Sequence, residues 1–199
     1  MEVFYAKTNG MKPLLFLSEH EIPAKLTFVD VKNREQFSEN FLKISPNNKI
    51  PAIKDGDLTI FESGGILEYF ADRFLDFRDH PDRYAILQWL YWQVGGLAPM
   101  GGQNHFFREF APEAIHFAIE RYTQECNRLY GVLDRHLANH EFVSGDEYHI
   151  ADMAIYPWVW YYELHHIDLK QYGHVRRWFE RLSRRPSIEQ VYRDYMAES

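Results

Sequence analysis

The 199-residue chain holds a single cysteine, Cys126, which excludes a structural disulfide within it and any CxxC redox or zinc pair. Such a composition fits a reducing compartment. Positive charge is also scarce: 22 Lys and Arg against 29 Asp and Glu leave a formal charge of -7. That balance argues against nucleic acid as a partner, because such binding rests on cations that neutralise phosphates. The cluster Arg176, Arg177, Arg181, Arg184 and Arg185 reads as a solvated helix face. The start of the chain lacks a cationic segment followed by a long apolar core, and no apolar run is long enough to span a bilayer, so a cytoplasmic location without membrane contact is expected. No Gly-Lys-Ser/Thr follows Gly95-Gly96 or Gly101-Gly102, which removes a phosphate loop. Phe61-Glu62-Ser63-Gly64-Gly65 has no glycine two residues before the serine, which removes a hydrolase elbow. His136 and His140 have the spacing of a helical zinc pair but meet a helix end at Leu137-Ala138-Asn139, and no metal is expected.

What is present is globular: 46% hydrophobic residues with 17% aromatics, enough for helices packed through rings such as Trp89, Trp92, Trp158, Trp160 and Trp178. Val3 to Tyr5 reads as a strand, Thr8-Asn9-Gly10 as a turn, and Leu14 to Leu17 as helix with Pro13 near its start. Leu26 to Val31 alternates as a second strand, and Phe37, Phe41, Leu42 and Ile44 have the spacing of a short helix that ends before Ser45-Pro46-Asn47-Asn48. Two short apolar runs, Pro51 to Lys54 and Leu58 to Phe61, flank Asp55-Gly56-Asp57 and predict a hairpin. Glu62-Ser63 then opens a helix carrying Ile66, Leu67, Tyr69, Phe70 and Phe74. The order βαβαββα closes a small mixed sheet over residues 1–75. Residues 76–83, polar and carrying Pro81, read as a linker, and 84–199 as all helix: Tyr84 to Gln93, Ile115 to Leu137, Ile150 to Tyr162, Gly173 to Leu182 and Ser187 to Tyr195.

Two features carry chemistry. Ile50-Pro51 stands at the head of a strand, where proline's missing N–H is tolerated. Glu62-Ser63 stands at a helix start, where a hydroxyl and free N–H groups bind a carboxylate while the neighbouring Glu takes an ammonium group; one amino-acid head group satisfies both.

The run Ser45-Pro46-Asn47-Asn48-Lys49-Ile50-Pro51-Ala52-Ile53, followed by Phe61-Glu62-Ser63-Gly64-Gly65-Ile66-Leu67-Glu68-Tyr69, resembles the glutathione site of glutathione transferases. Thr8-Asn9-Gly10, the stretch Gln88 to Met100 and Gly102-Gln103-Asn104-His105 bring it nearest to the Nu class of bacterial glutathione-dependent disulfide reductases. The resemblance implies a thioredoxin-like N-terminal domain with Pro51 in cis, followed by a helical bundle. A cis bond there turns the N–H and C=O of Ile50 outward for a peptide ligand. The family also assigns roles: Glu62 and Ser63 to the γ-glutamyl group, Ile50 before Pro51 to the cysteinyl backbone, and Lys49 with Gln36 to the glycyl end. The thiol lies over Thr8 and Asn9, in a loop one residue shorter than the Thr-Pro-Asn-Gly common in the class, and the sequence leaves open which of the two reaches sulfur. Donors at that point stabilise a thiolate. Tyr5, the alternative used by other classes, reads as a sheet residue.

Asn104 and Arg121 are implied to contact glutathione at a dimer cleft, and His149-Ile150-Ala151-Asp152 resembles the capping box of a core helix, with folding rather than binding content. The implied activity uses glutathione as co-substrate with no metal, most of all to reduce a small disulfide, with conjugation to an electrophile or peroxidase activity beside it. A non-catalytic glutathione-binding or regulatory protein is the alternative. A homodimer is expected, and Cys126, mid-helix, is expected to be an inert thiol.

Overall fold

The computed structural model describes residues 1–195. The described chain divides into two compact units, Met1–Arg83 with residues 183–195, and Tyr84–Leu182.

The first unit is built on a four-stranded sheet in the order β2-β1-β3-β4. Strand β1 (Glu2–Tyr5) runs parallel to β2 (Lys25–Phe28), with Val3 opposite Leu26, and antiparallel to β3 (Ala52–Asp55), with Val3 opposite Ile53. A parallel pair needs a crossover, and α1 (Met11–Glu19) supplies it. Strand β4 (Leu58–Phe61) returns against β3 across Gly56, whose φ of +63° lies in the left-handed region that glycine enters without steric cost. Helix α3 (Ser63–Phe74) follows at once and buries Ile66, Leu67, Phe70 and Ala71. Its Phe70 ring meets Phe16 of α1 at 5.3 Å, and fully buried side chains such as Leu15 and Phe16 each contribute roughly 1.5–3 kcal/mol of burial.

Two expectations for this unit change. The helix read from Phe37 to Ile44 is two pieces, a 3-10 turn over Glu35–Phe37 and the single-turn helix α2 (Glu39–Leu42). Ser38 separates them in an extended conformation and caps α2 by accepting from the Phe41 N–H, so Phe41 is buried while Phe37 stays exposed. Residues 76–83 are not a free tether: Phe77 is buried, and Arg83 lies over its ring and pairs with Glu68 and Asp72 of α3 at 2.6 Å each.

The second unit is helical. Helix α4 (Arg83–Trp92) runs through one π-turn, Gln93–Leu97, into α5 (Ala98–Glu109), so the glycine-rich stretch is helix, and Pro99, which has no N–H to give the preceding turn, directly follows the π-turn. Helix α6 (His116–Leu137) packs against α5, and α7 (Ile150–Val159) and α8 (Gly173–Ser183) complete the unit. Asp152 of α7 is fully buried; its carboxylate accepts from the N–H of Val143 at 2.7 Å, Ser144 at 3.1 Å and His149 at 3.4 Å, and from Trp178 Nε1 at 2.8 Å. Burial raises its pKa while these donors oppose the shift, which makes Asp152 a folding centre.

The last helix, α9 (Pro186–Tyr195), belongs with the first unit. The reading of 84–199 as one helical domain is corrected here. Ile188, Val191 and Tyr192 form the buried face of α9, which packs on α1, and Arg185 and Ser187 hydrogen-bond to the Glu19 carboxylate.

Candidate functional site

A groove of about 150 Å³ in the first unit is lined by Asn9, Ser45, Lys49, Ile50, Pro51, Phe61, Glu62 and Ser63. Three stretches of the chain, around residue 9, from 45 to 51 and from 61 to 63, meet there. The Thr8–Gly10 turn delivers Asn9, the loop after α2 delivers Ser45 and Lys49, the entrance to β3 delivers Ile50 and Pro51, the end of β4 delivers Phe61, and the start of α3 delivers Glu62 and Ser63. The Ile50–Pro51 bond is cis, as the resemblance implied. Larger hollows of about 350 and 400 Å³ exist in the same unit; the second is walled mainly by apolar side chains such as Phe4, Phe28 and Phe41, and the first mixes Leu14, Leu17 and Ile22 with Ser18, Glu21 and Gln190 and contains none of the residues singled out from the sequence as a site. Convergent polar groups, not volume, mark the smaller groove.

The backbone around the groove is unusual. Glu62 sits at φ 77°, ψ 115°, outside the conformations that side-chain-bearing residues favour, at a cost of roughly 1–3 kcal/mol. Thr8, a β-branched residue, sits at φ 58°. Both outliers flank the groove, as strained residues at binding sites commonly do. At the start of α3 the N-cap position is occupied by Glu62, not Ser63. Ser63 is the first helical residue, its Oγ accepts from Lys12 Nζ at 3.1 Å, and the first-turn N–H groups of α3 have no carbonyl of the helix to pair with. Ser45, wholly buried, donates its hydroxyl to the Lys49 carbonyl at 2.8 Å and fixes the loop before Ile50.

The groove thus brings together Asn9, Lys49, Ile50, Pro51, Glu62 and Ser63. Thr8 and Gln36 do not line it. Gln36 lies on the 3-10 turn, where its Nε2 donates to the Val31 carbonyl at 3.4 Å. Asn104 and Arg121 belong to the second unit. Asn104 is fully buried; its Nδ2 donates to the His165 carbonyl at 2.7 Å and its Oδ1 accepts from Arg108 Nε at 3.0 Å. Arg121 is exposed and 3.8 Å from Glu125. Tyr5 is buried in the sheet, where its ring meets Phe28 at 5.7 Å. Cys126 is buried in α6, and loss of solvent pushes its thiol up to about 11. Among the described residues no group of three or more His, Cys, Asp or Glu is arranged to hold a metal, and no helix is long and apolar enough to cross a membrane.

Sequence reasoning missed Lys12, Ser45 and Phe61. Ser45 and Phe61 stand inside the two quoted runs, so proximity to assigned residues was a usable signal. Lys12 had none, because a lysine in a first helical turn ordinarily reaches solvent.

A thioredoxin-like sheet unit with a cis-proline groove beside a helix start, joined in one chain to a helical unit, defines the glutathione transferase class of protein. Residues 1–72 match the glutathione S-transferase N-terminal domain and residues 113–186 its C-terminal domain, and the chain belongs to the glutathione S-transferase family. It is 47% identical to the disulfide-bond oxidoreductase YfcG of Escherichia coli over 96% of this chain and 94% of that one. A glutathione transferase from Pseudomonas putida, solved with one glutathione disulfide bound per subunit, superposes with a TM-score of 0.91 at 35% identity, covering 97% of this chain and 90% of that one. A family member from Pseudomonas fluorescens with two glutathione molecules bound gives 0.89 at 35% identity, covering 96% and 91%.

Proposed function

We propose that the protein is a glutathione-dependent disulfide oxidoreductase that binds glutathione in the groove between the Asn9 turn, cis Pro51 and the start of α3. The observation that carries this reading is a groove that brings together Asn9, Lys49, cis Pro51, Glu62 and Ser63, in a chain whose only thiol is buried and pushed up to about 11. Glu62 takes the γ-glutamyl ammonium group, Ser63 and the N–H groups of the first α3 turn take its carboxylate, and the main chain of Ile50 pairs with the cysteinyl residue. Lys49 takes the glycyl carboxylate, and Gln36, which does not line the groove, is assigned to the same end on family grounds alone. Asn9 lines the groove and is assigned the sulfur, with Thr8 holding the turn.

A donor at that sulfur stabilises the thiolate. The glutathione thiolate attacks one sulfur of a small disulfide, forms a new S–S bond and expels the other sulfur as thiolate. A second glutathione thiolate attacks the mixed disulfide, leaving glutathione disulfide and a second reduced product thiol. Both electrons come from the two glutathione molecules, so no enzyme cysteine is required. The relative named a disulfide-bond oxidoreductase and the neighbour holding glutathione disulfide favour this chemistry over simple binding. The same thiolate serves conjugation to an electrophile. Exposed Arg121 is assigned to the second glutathione across a homodimer cleft, on family grounds alone, whereas Asn104, fully buried and bonded to the His165 carbonyl and Arg108, is given no ligand contact.

The test is turnover of a small mixed disulfide with glutathione, followed as NADPH oxidation by coupled glutathione reductase. Turnover proportional to enzyme supports the reading; bound glutathione without turnover would leave a non-catalytic binding protein.

A further inference from the structure

Ser45 is wholly buried and yet lines the groove, and each of its hydrogen-bonding groups is committed within its own loop. Its N–H donates to the Phe41 carbonyl at 2.8 Å, which ties it to the end of α2. Its carbonyl accepts from the Asn48 N–H at 2.9 Å and closes a turn with Pro46 in second place, where the fixed φ of the ring suits a type I turn. Asn48 follows at φ 49°, a left-handed conformation that asparagine tolerates. The hydroxyl reaches past the turn and donates to the Lys49 carbonyl at 2.8 Å. A trans peptide is planar, so its C=O and N–H point to opposite sides. The Lys49–Ile50 bond is trans, the cis bond being the next one along. A hydroxyl that holds the Lys49 carbonyl inward therefore aims the Ile50 N–H the other way, and Ile50 lines the groove. That N–H bonds to no group of the described residues. A main-chain donor left open beside a groove is ready for a ligand carbonyl.

We propose that Ser45 is a positioning residue for the cysteinyl part of the ligand: its hydroxyl fixes the Lys49–Ile50 peptide plane so that the Ile50 N–H faces the carbonyl of the bound cysteinyl residue. The proposal rests on the pairing of the Ile50 main chain with that residue. Without the hydroxyl the plane is free to rotate, and the donor must be ordered again each time a ligand binds. Affinity then falls although no group that touches the ligand has been removed. The loss belongs to the cysteinyl carbonyl alone, because the γ-glutamyl end is held by Glu62 and Ser63 at the start of α3, a different stretch of the chain.

The experiment measures affinity by calorimetry for three ligands without a titrating thiol, on the full chain, Ser45→Ala and Pro46→Ala. S-methylglutathione carries the whole peptide, γ-glutamyl-S-methylcysteine lacks the glycyl end, and γ-glutamyl-S-methylcysteamine lacks the cysteinyl carbonyl as well. Ser45→Ala should bind the first two about ten-fold more weakly than the original chain and the third within about two-fold of it. Pro46→Ala, which loosens the same turn and keeps the hydroxyl, should stay within about two-fold for all three. An equal loss for all three ligands in Ser45→Ala, or a loss as large in Pro46→Ala, would overturn the proposal in favour of general loosening of the loop. A loss confined to S-methylglutathione would overturn it in favour of an effect on Lys49 and the glycyl end. Amide exchange needs no variant: the Ile50 N–H should exchange freely in the unliganded protein and slow about ten-fold or more with γ-glutamyl-S-methylcysteine, but not with the cysteamine derivative. An Ile50 amide already protected without ligand would overturn the proposal. If the original chain binds the cysteamine derivative as tightly as γ-glutamyl-S-methylcysteine, the pairing at Ile50 has failed; if it does not, and Ser45→Ala binds all three normally, only the role of Ser45 has.

Discussion

Ser63 lines the groove, and its hydroxyl oxygen accepts from Lys12 Nζ at 3.1 Å. Ser63→Ala should weaken glutathione binding by about 1.5–3 kcal/mol, the worth of a hydrogen bond to a charged group, with a smaller effect on unfolding. Calorimetry paired with thermal melts checks both halves, and unaltered affinity would move the head group elsewhere. His165, in the second unit, is 2% exposed, stacks on Trp158 at 5.9 Å and is lowered to about 4, by burial first and by His105 second. The unfolded chain therefore binds the proton more tightly than the folded one. Stability contributed by neutral His165 is fully present above about pH 6.5 and lost as pH falls through about 4, on the order of 3 kcal/mol in all. His165→Phe, which keeps a ring against Trp158, should flatten that part of a stability profile measured by denaturant midpoints from pH 7 to pH 4. A loss as steep as in the original would show that another group governs the acid limb.

Elements differ in how openly the sequence announces them. The Asp55-Gly56-Asp57 hairpin and the strand–turn–helix opening were legible because turn chemistry and periodicity agree there, and the cis proline only through the resemblance of the βαβ unit, proline and hairpin to the thioredoxin-like arrangement. The segment after β2 misled because the spacing of Phe37 and Phe41 carries no mark of the extended Ser38 between them. Gly95-Gly96 and Gly101-Gly102 concealed a continuous run from α4 to α5, since tertiary packing outweighs the roughly 1 kcal/mol each glycine costs a helix. The periodicity of α9 announced a buried face but not that α1 covers it. In the groove, Ile50, Pro51, Glu62 and Ser63 were legible, whereas Phe61 was not singled out and the buried Lys12 that bonds to Ser63 gave no signal. Gly10 tests the most demanding junction. A Cβ at Gly10 would stand 3.3 Å from the Tyr5 Cα and carbonyl carbon, backbone atoms that have little room to give. Gly10→Ala should push the turn carrying Asn9 away from β1, costing about 1–3 kcal/mol of stability. Its kcat/KM for disulfide reduction should fall roughly ten-fold. Denaturant midpoints and steady-state rates check the pair, and a variant with unchanged rate would mean that the position of Asn9 is not critical.

At the scale of the whole molecule, a chain with a single cysteine, and that one buried, has no dithiol of its own with which to reduce a disulfide. The fold supplies a place for a glutathione thiol, and the pKa of Cys126, pushed up to about 11 by burial, leaves almost no thiolate of the protein's own at neutral pH. The most direct measurement is the pH dependence of glutathione-driven reduction of 2-hydroxyethyl disulfide by the original chain, Cys126→Ser and Asn9→Ala. Cys126→Ser should keep most of the rate at every pH. Asn9→Ala should lower the rate near neutrality by roughly ten-fold and move the alkaline rise of the profile upward, because the bound thiolate has lost a donor. A folded Cys126→Ser variant without activity, or an Asn9→Ala profile identical to the original, would contradict the account.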